Sequence, residues 1–247
     1  MKTFLGAIIL IGIFFNSCNN NKESFGEILK IDLSSEVTNK IKLELKSFVH
    51  LETLDSSLIG EIRKIEIYSN FIYVFDKNSS KALFVFDKNG KFIGKTKRGK
   101  GPGECSDPWD FIIDKDNQKI LLWDQSPKNM IEYDLKLNYL KSYHYEGLFI
   151  KNFKKLDKDT FLAFVQYPIF KYKTEDATYY NYAIYASDFS KPLSAILPTT
   201  KKVAGLNMNN PINPNNRALF VAPLDNNVYG LENNELKVIY ALDFGKL

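Results

Sequence analysis

The chain has 247 residues, 45% of them hydrophobic and 25% charged, and 33 basic against 29 acidic residues give a net charge of +4. A chain of this size and composition can bury a large core, and 13 Gly and 9 Pro exclude collagen-like and low-complexity classes. The densest basic run, Lys95 to Lys100, is too short for a nucleic-acid footprint and has no recognition motif beside it, so no nucleic-acid partner is expected.

Behind Lys2, the segment Phe4 to Phe15 is continuously apolar. It is shorter than the roughly 20 residues of a membrane-spanning helix and reads as the core of a signal peptide. The run ends in Phe15-Asn16-Ser17-Cys18, which resembles a bacterial lipobox in the form usual in Bacteroidota, although Phe15 and Asn16 depart from the commonest pattern. That resemblance implies diacylation of the Cys18 thiol and cleavage just before it. Each buried lipid CH₂ contributes about 0.8 kcal/mol, so more than one acyl chain holds a protein firmly on a membrane. Residues 1–17 are therefore expected to be a lipoprotein signal peptide, 18–40 the lipidated cysteine and its tether, and 41–247 the folded domain. Lys22-Glu23 resembles a short charged signal that sends some lipoproteins of that phylum to the cell surface. The expected address is the outer membrane, on either face. Cys105 is left unpaired, which leaves no disulfide framework and no cysteine zinc site, and it is expected to be buried and inert.

Beyond the tether the pattern is all-β. Ile62–Tyr68, Phe71–Phe75, Ala82–Phe86 and Lys91–Gly94 are short β-branched or aromatic runs separated by turns, with Asn89-Gly90 marking a hairpin. Trp109–Ile113, Ile120–Trp123, Met130–Tyr133 and Tyr139–Leu140 repeat the unit. Asp76 and Asp124 close equivalent second strands 48 residues apart, and Phe86-Asp87 and Tyr133-Asp134 lie 47 apart. A four-stranded unit of this period predicts the blades of a β-propeller. A looser third unit runs through Phe153–Leu156, Thr160–Val165, Tyr182–Ala186 and Leu193–Leu197, with a tyrosine-rich insert over Lys171–Asn181. A fourth covers Ala218–Val221, Asn227–Tyr229 and Leu236–Tyr240, after a loop at Asn207–Asn216.

Three stretches carry a resemblance. They are Val49–Thr53 with Leu58–Ile62, the loop Arg98-Gly-Lys-Gly-Pro-Gly-Glu104 leading into Pro108–Asp114, and Ala241–Gly245. Together they resemble the six-bladed β-propeller lipoproteins of Bacteroidota, distantly like NHL-repeat propellers, from about Ile41 onward. The resemblance implies that about four of six blades are present and that a strand near Phe48–Leu51 closes the ring on the last blade. It also implies a C-terminally short chain with open strand edges.

Gly99, Gly101 and Gly103 imitate a phosphate loop, but Pro102 and Cys105 break both nucleotide-binding patterns and a strand follows. The loop reads as a tight inter-blade crossing. Its functional version is an anion cradle flanked by Arg98 and Lys100. Asp114-Lys-Asp116 lacks the glycine and glutamate of an EF-hand, and His50 and His144 do not form a zincin motif, so no metal or other cofactor is expected. Trp109 and Trp123 read as core, whereas Tyr179 and Tyr180, set in a polar loop, are candidates for recognition.

The function expected is that of an envelope recognition module for a glycan, peptide or partner protein, its ligand residues drawn from Arg98, Lys100, Glu104, Trp109, Asp110, Tyr179 and Tyr180. The rivals are a lyase or hydrolase of envelope polymers with its acid and base among Asp110, Glu104 and neighbours, and a structural subunit of an uptake complex.

Overall fold

The computed structural model describes residues 26–31, 44–145, 149–165, 179–189, 192–199, 219–221, 226–232 and 235–245. Cys18, the apolar run before it and the loop Asn207–Asn216 lie outside them, as does most of the insert Lys171–Asn181.

A first strand, β1 (Glu27–Lys30), precedes the repeats. The first sheet is an antiparallel meander of β2 (Lys64–Tyr68), β3 (Phe71–Asp76), β4 (Ala82–Asp87) and β5 (Phe92–Lys95). Two short strands, β6 (Lys97–Arg98) and β7 (Glu104–Cys105), pair in parallel and connect it to the second meander. That meander is β8 (Pro108–Asp114), β9 (Lys119–Asp124), β10 (Asn129–Asp134) and β11 (Tyr139–His144). The third is β12 (Ile150–Lys155), β13 (Thr160–Val165), β14 (Tyr179–Ala186) and β15 (Pro192–Thr199). The fourth sheet joins β16 (Leu219–Val221), β17 (Asn227–Glu232) and β18 (Glu235–Asp243) to β1. Among the described residues the one helical turn is a 3₁₀ segment at Asp55–Ser57. The chain is an all-β, partial β-propeller of four-stranded blades.

The middle strands read as unbroken apolar runs because both of their faces are covered. In the first sheet Tyr73, Phe75, Leu83 and Val85 pack with Phe111, Ile113, Ile120 and Leu122 of the second. Ile112, Leu121 and Trp123 on the second sheet's other face pack with Phe153, Phe161 and Ala163 of the third. Leu162, Phe164 and Tyr182 then meet Tyr229, Leu231 and Leu236 of the fourth. Side chains alternate across each strand, so one strand contributes to two consecutive interfaces. Outer strand β11, with a single sheet neighbour, is exposed throughout.

The 48-residue repeat has a structural cause. Asp76 Oδ2 accepts from the Gly60 amide at 2.8 Å and the Glu61 amide at 3.2 Å. Asp124 accepts from Ser106 at 2.8 Å and Asp107 at 2.7 Å. In each of these two blades the carboxylate ending the second strand latches the turn that feeds the first. The 47-residue pair is equally regular. Asp87 Oδ1 receives the Asn89 and Lys91 amides, and Asp134 Oδ1 receives those of Lys136 and Asn138, closing matching hairpins.

The N-terminal part of the chain departs from expectation in two ways. Phe48–Leu51 forms no strand and does not reach the last sheet. It runs along the first blade, where the Glu52 amide donates to the Gly90 carbonyl and Leu51 packs with Ile59 and Phe92 over Val74, Phe84 and Phe86. This segment gives the first blade's outer face the apolar cover that sheet-to-sheet packing gives both faces of the second and third. The edge of β18 is instead taken by β1, in parallel register from Glu27↔Tyr240 to Lys30↔Asp243. Residues 27–30, inside the 18–40 stretch read as tether, are therefore strand.

Candidate functional site

The first strands of three blades lie side by side. Lys64 on β2 donates to Asp110 Oδ1 on β8 at 3.1 Å and to the Phe111 carbonyl, and Asp110 Oδ2 accepts from the Phe153 amide on β12 at 3.1 Å. Lys64 also pairs with Glu66 at 3.1 Å. Burial disfavours the Lys64 charge, but Asp110 and Glu66 outweigh it and its pKa is raised. Asp110, itself buried, is thus a clamp across three inner strands.

Where these strands begin, the backbone repeats a local device. The register of β8 on β9 slips between Pro108 and Asp110, and that of β12 on β13 between Ile150 and Asn152, leaving Trp109 and Lys151 as bulge residues. A bulge re-aims its extra side chain. Asp110 faces Trp123, Asn152 faces Phe164 and Lys64 faces Phe75, so the pairs Arg63-Lys64, Trp109-Asp110 and Lys151-Asn152 occupy matching places in successive blades. All six, with Lys77 from the turn after β3, line a small cavity of about 30 Å³ at one end of the inner strands.

Among the residues lining this mouth, Arg63, Lys64, Lys77 and Lys151 carry positive charge and Asp110 negative charge, while Asp107, outside the lining, also attracts Lys77. Burial lowers the Lys77 pKa, and the nearby Arg63 lowers it further; the same two causes lower that of Lys151. The Lys77 ammonium sits 3.6 Å from the centre of the Trp109 ring, a cation–π contact, and the indole N–H donates to Asp107 at 2.9 Å. Trp109 also meets Phe149 edge-on at 5.0 Å. It is therefore a partly buried wall of the mouth, whereas Trp123 is full core.

A larger cavity, about 380 Å³, opens at the other end of the same strands, lined by Glu66, Ile112, Lys154, Leu156 and Asp157 among others. Its charges are mixed and largely paired. Lys155 bonds Asp114 and Asp116, the two residues that imitate the start of a calcium loop. Among the described residues no group of three His, Cys, Asp or Glu is placed to hold a metal.

The structure separates the residues that the sequence grouped together. The Arg98–Glu104 loop packs at the opposite edge of the second sheet from β8: Tyr133 of β10 donates to the Gly103 carbonyl at 3.0 Å, and Gly103 lies against Tyr139 of β11. The Gly101 amide is spent on Glu104 Oε2 at 2.9 Å, so the loop turns its donor on its own carboxylate. It is the tight crossing expected. Arg98 is exposed, and neither it, Lys100 nor Glu104 lines the mouth, so these three do not converge with Trp109 and Asp110. Glu104 and Asp110 consequently form no acid–base pair. Tyr179 and Tyr180 open strand β14 rather than sitting in a polar loop, in register with Thr199 and Pro198; their side chains fall outside the described residues. Arg63, Lys64, Lys77, Lys151 and Asn152 were not singled out by sequence reasoning. Their only signal is position, at or beside the start of an inner strand or, for Lys77, in the turn after β3, and each looks unremarkable alone. Cys105 is buried, and burial pushes its thiol up to about 11.

Comparison with known structures agrees with this architecture. A Bacteroides fragilis protein assigned as exported superposes with a TM-score of 0.66 at 17% identity, over 88% of this chain and 60% of its own, so the chain spans 60% of that protein's length. The WD40 propeller domain of Doa1 matches with a TM-score of 0.44 at 12% identity, over 72% of this chain and 52% of its own. No functionally curated protein shows significant sequence similarity. The family model for a domain of unknown function, DUF4934, matches residues 28–247, nearly all of the described strands, and the chain belongs to that family.

Proposed function

We propose that the protein is a non-catalytic recognition module of the bacterial envelope, tethered through lipid at Cys18 and binding a glycan, peptide or partner protein at the axial mouth of its blades. The observation that carries this reading is the convergence of three equivalent residue pairs and Lys77 on one cavity. Ligands favour concave sites where a few polar groups meet. The lipobox-like Phe15–Cys18 segment supports the address, as does the likeness to a protein assigned as exported. Membership among the six-bladed lipoproteins of Bacteroidota fits the same picture, and so does an outer-membrane location.

Two experiments test it. Cys18→Ala is expected to move the protein from the membrane to the soluble fraction, and unchanged membrane retention removes the anchor. A glycan array and an envelope pulldown with the full-length protein in detergent are expected to yield a ligand whose binding is lost on Arg63→Glu. Retained binding in that variant removes the mouth as the site.

A further inference from the structure

We propose that the axial mouth is an oxyanion seat, receiving one carboxylate, sulfate or phosphate group, either as a free ion or at the end of an acidic sugar. This rests on the recognition reading above and narrows its ligand.

Three observations lead there. First, the cations of the mouth come from three separate elements, Arg63 beside β2, Lys77 after β3 and Lys151 on β12, and Arg63 raises the cost of charging both lysines. Like charges gathered in a partly desolvated cleft repel, and an anion placed among them relieves that repulsion. Asp107 and Asp110 offset part of that repulsion at Lys77, and both Asp110 oxygens are already engaged, by Lys64 and by the Phe153 amide. Second, the cavity of about 30 Å³ admits only a few non-hydrogen atoms. A water needs about 10–15 Å³ on this measure, so the space suits the head of an oxyanion and excludes a whole sugar ring. Third, the Lys77 ammonium already lies over the Trp109 ring, so the indole holds a cation in place and leaves that face closed to sugar stacking. Recognition at this point is by charge, and any larger body of the ligand lies outside the mouth. Arg63 adds a planar fork that suits two oxygens of one group.

The test is titration of the full-length protein in detergent with inorganic sulfate, inorganic phosphate, oligogalacturonate and a neutral dextran oligosaccharide, followed by calorimetry and Trp fluorescence. Saturable binding of at least one oxyanion probe is expected, at least tenfold weaker in Arg63→Ala and in Lys151→Gln, weaker at high salt, and unchanged in the distant surface variant Lys88→Ala. Tighter binding of oligogalacturonate than of the free ions identifies a sugar-borne group, and the reverse identifies a free ion. Two results overturn the proposal while sparing the recognition reading: dextran binding that the mouth variants abolish, or a mouth-dependent ligand without acidic groups. Oxyanion binding that is identical in wild type, Arg63→Ala and Lys151→Gln overturns the proposal and, if no other ligand maps to the mouth, the recognition reading as well. So does the absence of saturation by every probe, combined with no ligand mapping to the mouth. Unfolding midpoints of the variants distinguish lost binding from lost fold.

Discussion

Asp76 and Asp124 hold equivalent places in consecutive blades, yet their surroundings drive their acidities in opposite directions, so their alanine variants are expected to respond oppositely to pH. Burial raises the pKa of Asp76, but amides of Gly60, Ser79, Glu61 and Ser80 overcome it and the net shift is downward. Burial also raises that of Asp124, and the amides of Ser106 and Asp107 do not overcome it, so its pKa stays raised. Two of the Asp76 bonds are short, 2.8 Å from Gly60 and 2.9 Å from Ser79. Charge-assisted bonds contribute about 1.5–3 kcal/mol each. Counting only the short pair, and allowing water to reach the exposed Gly60 and Ser79 amides, Asp76→Ala is expected to cost about 3–4 kcal/mol at neutral pH. For a domain of this size that lowers the Tm by about 10 °C. A depressed folded pKa means stability that is present above the unfolded carboxylate value, near 4, and lost as pH falls through the folded value. The gap between wild type and Asp76→Ala should therefore narrow on acidification below about pH 4. For Asp124 the raised folded pKa gives stability that is complete below the unfolded value and lost as pH rises through the folded one, so the gap to Asp124→Ala should widen on acidification. Urea unfolding of both variants between pH 3 and 7 measures this. Parallel pH slopes, or an Asp76→Ala cost below about 1 kcal/mol, would refute the latch argument.

Other consequences are testable in the same way. Gly103 has φ +74° and a Cβ there would lie 2.7 Å from the Tyr139 Cβ, whereas at Gly101 the nearest atom is the end of the Glu104 side chain at 3.1 Å. Gly103→Ala is thus expected to cost about 2 kcal/mol and Gly101→Ala under about 0.5, as read from urea midpoints. Lys64→Met leaves the buried Asp110 with the Phe153 amide alone, and about 3 kcal/mol of destabilisation is expected; Lys64→Met with Asp110→Asn should cost clearly less than the two single changes together. Simple additivity in that double-mutant cycle would remove the clamp. The Cys105 thiol, buried and pushed up to about 11, should resist a thiol reagent at pH 8 in the Cys18→Ala protein until denaturant is added; rapid native labelling would contradict its burial.

The blades were legible in the sequence because their cause is local. A strand covered on both faces must be apolar at every position, and Phe71–Phe75, Ala82–Phe86 and Ile120–Trp123 show this directly. The Asp76 and Asp124 spacing was visible because a carboxylate performs the same fixed task in each of the first two blades. What was missed depends on chain segments far apart. The parallel pairing of β1 with β18 joins residues some two hundred positions apart and leaves no periodic trace in Glu27–Lys30. Phe48–Leu51 has the apolar content of a strand, but it serves as a cover on the first blade and takes no ladder partner. The Arg98–Glu104 loop attracted attention by its glycines, and those glycines answer a steric demand at Tyr139 and a turn closed by Glu104. The mouth stayed hidden because a bulge is a property of register: Trp109 and Lys151 differ chemically and share only their place in the ladder.

Because the second and third blades position their mouth residues by an extra backbone residue and not by what that side chain is, and Arg63 takes the matching place just before β2, arginine, tryptophan and lysine can all stand in equivalent slots. The frame is thereby insulated from the side chains that it presents. Changing the occupant of one slot should leave the sheets beneath undisturbed, so that under the recognition role proposed above the chemistry of the mouth can vary at three positions while the scaffold remains constant.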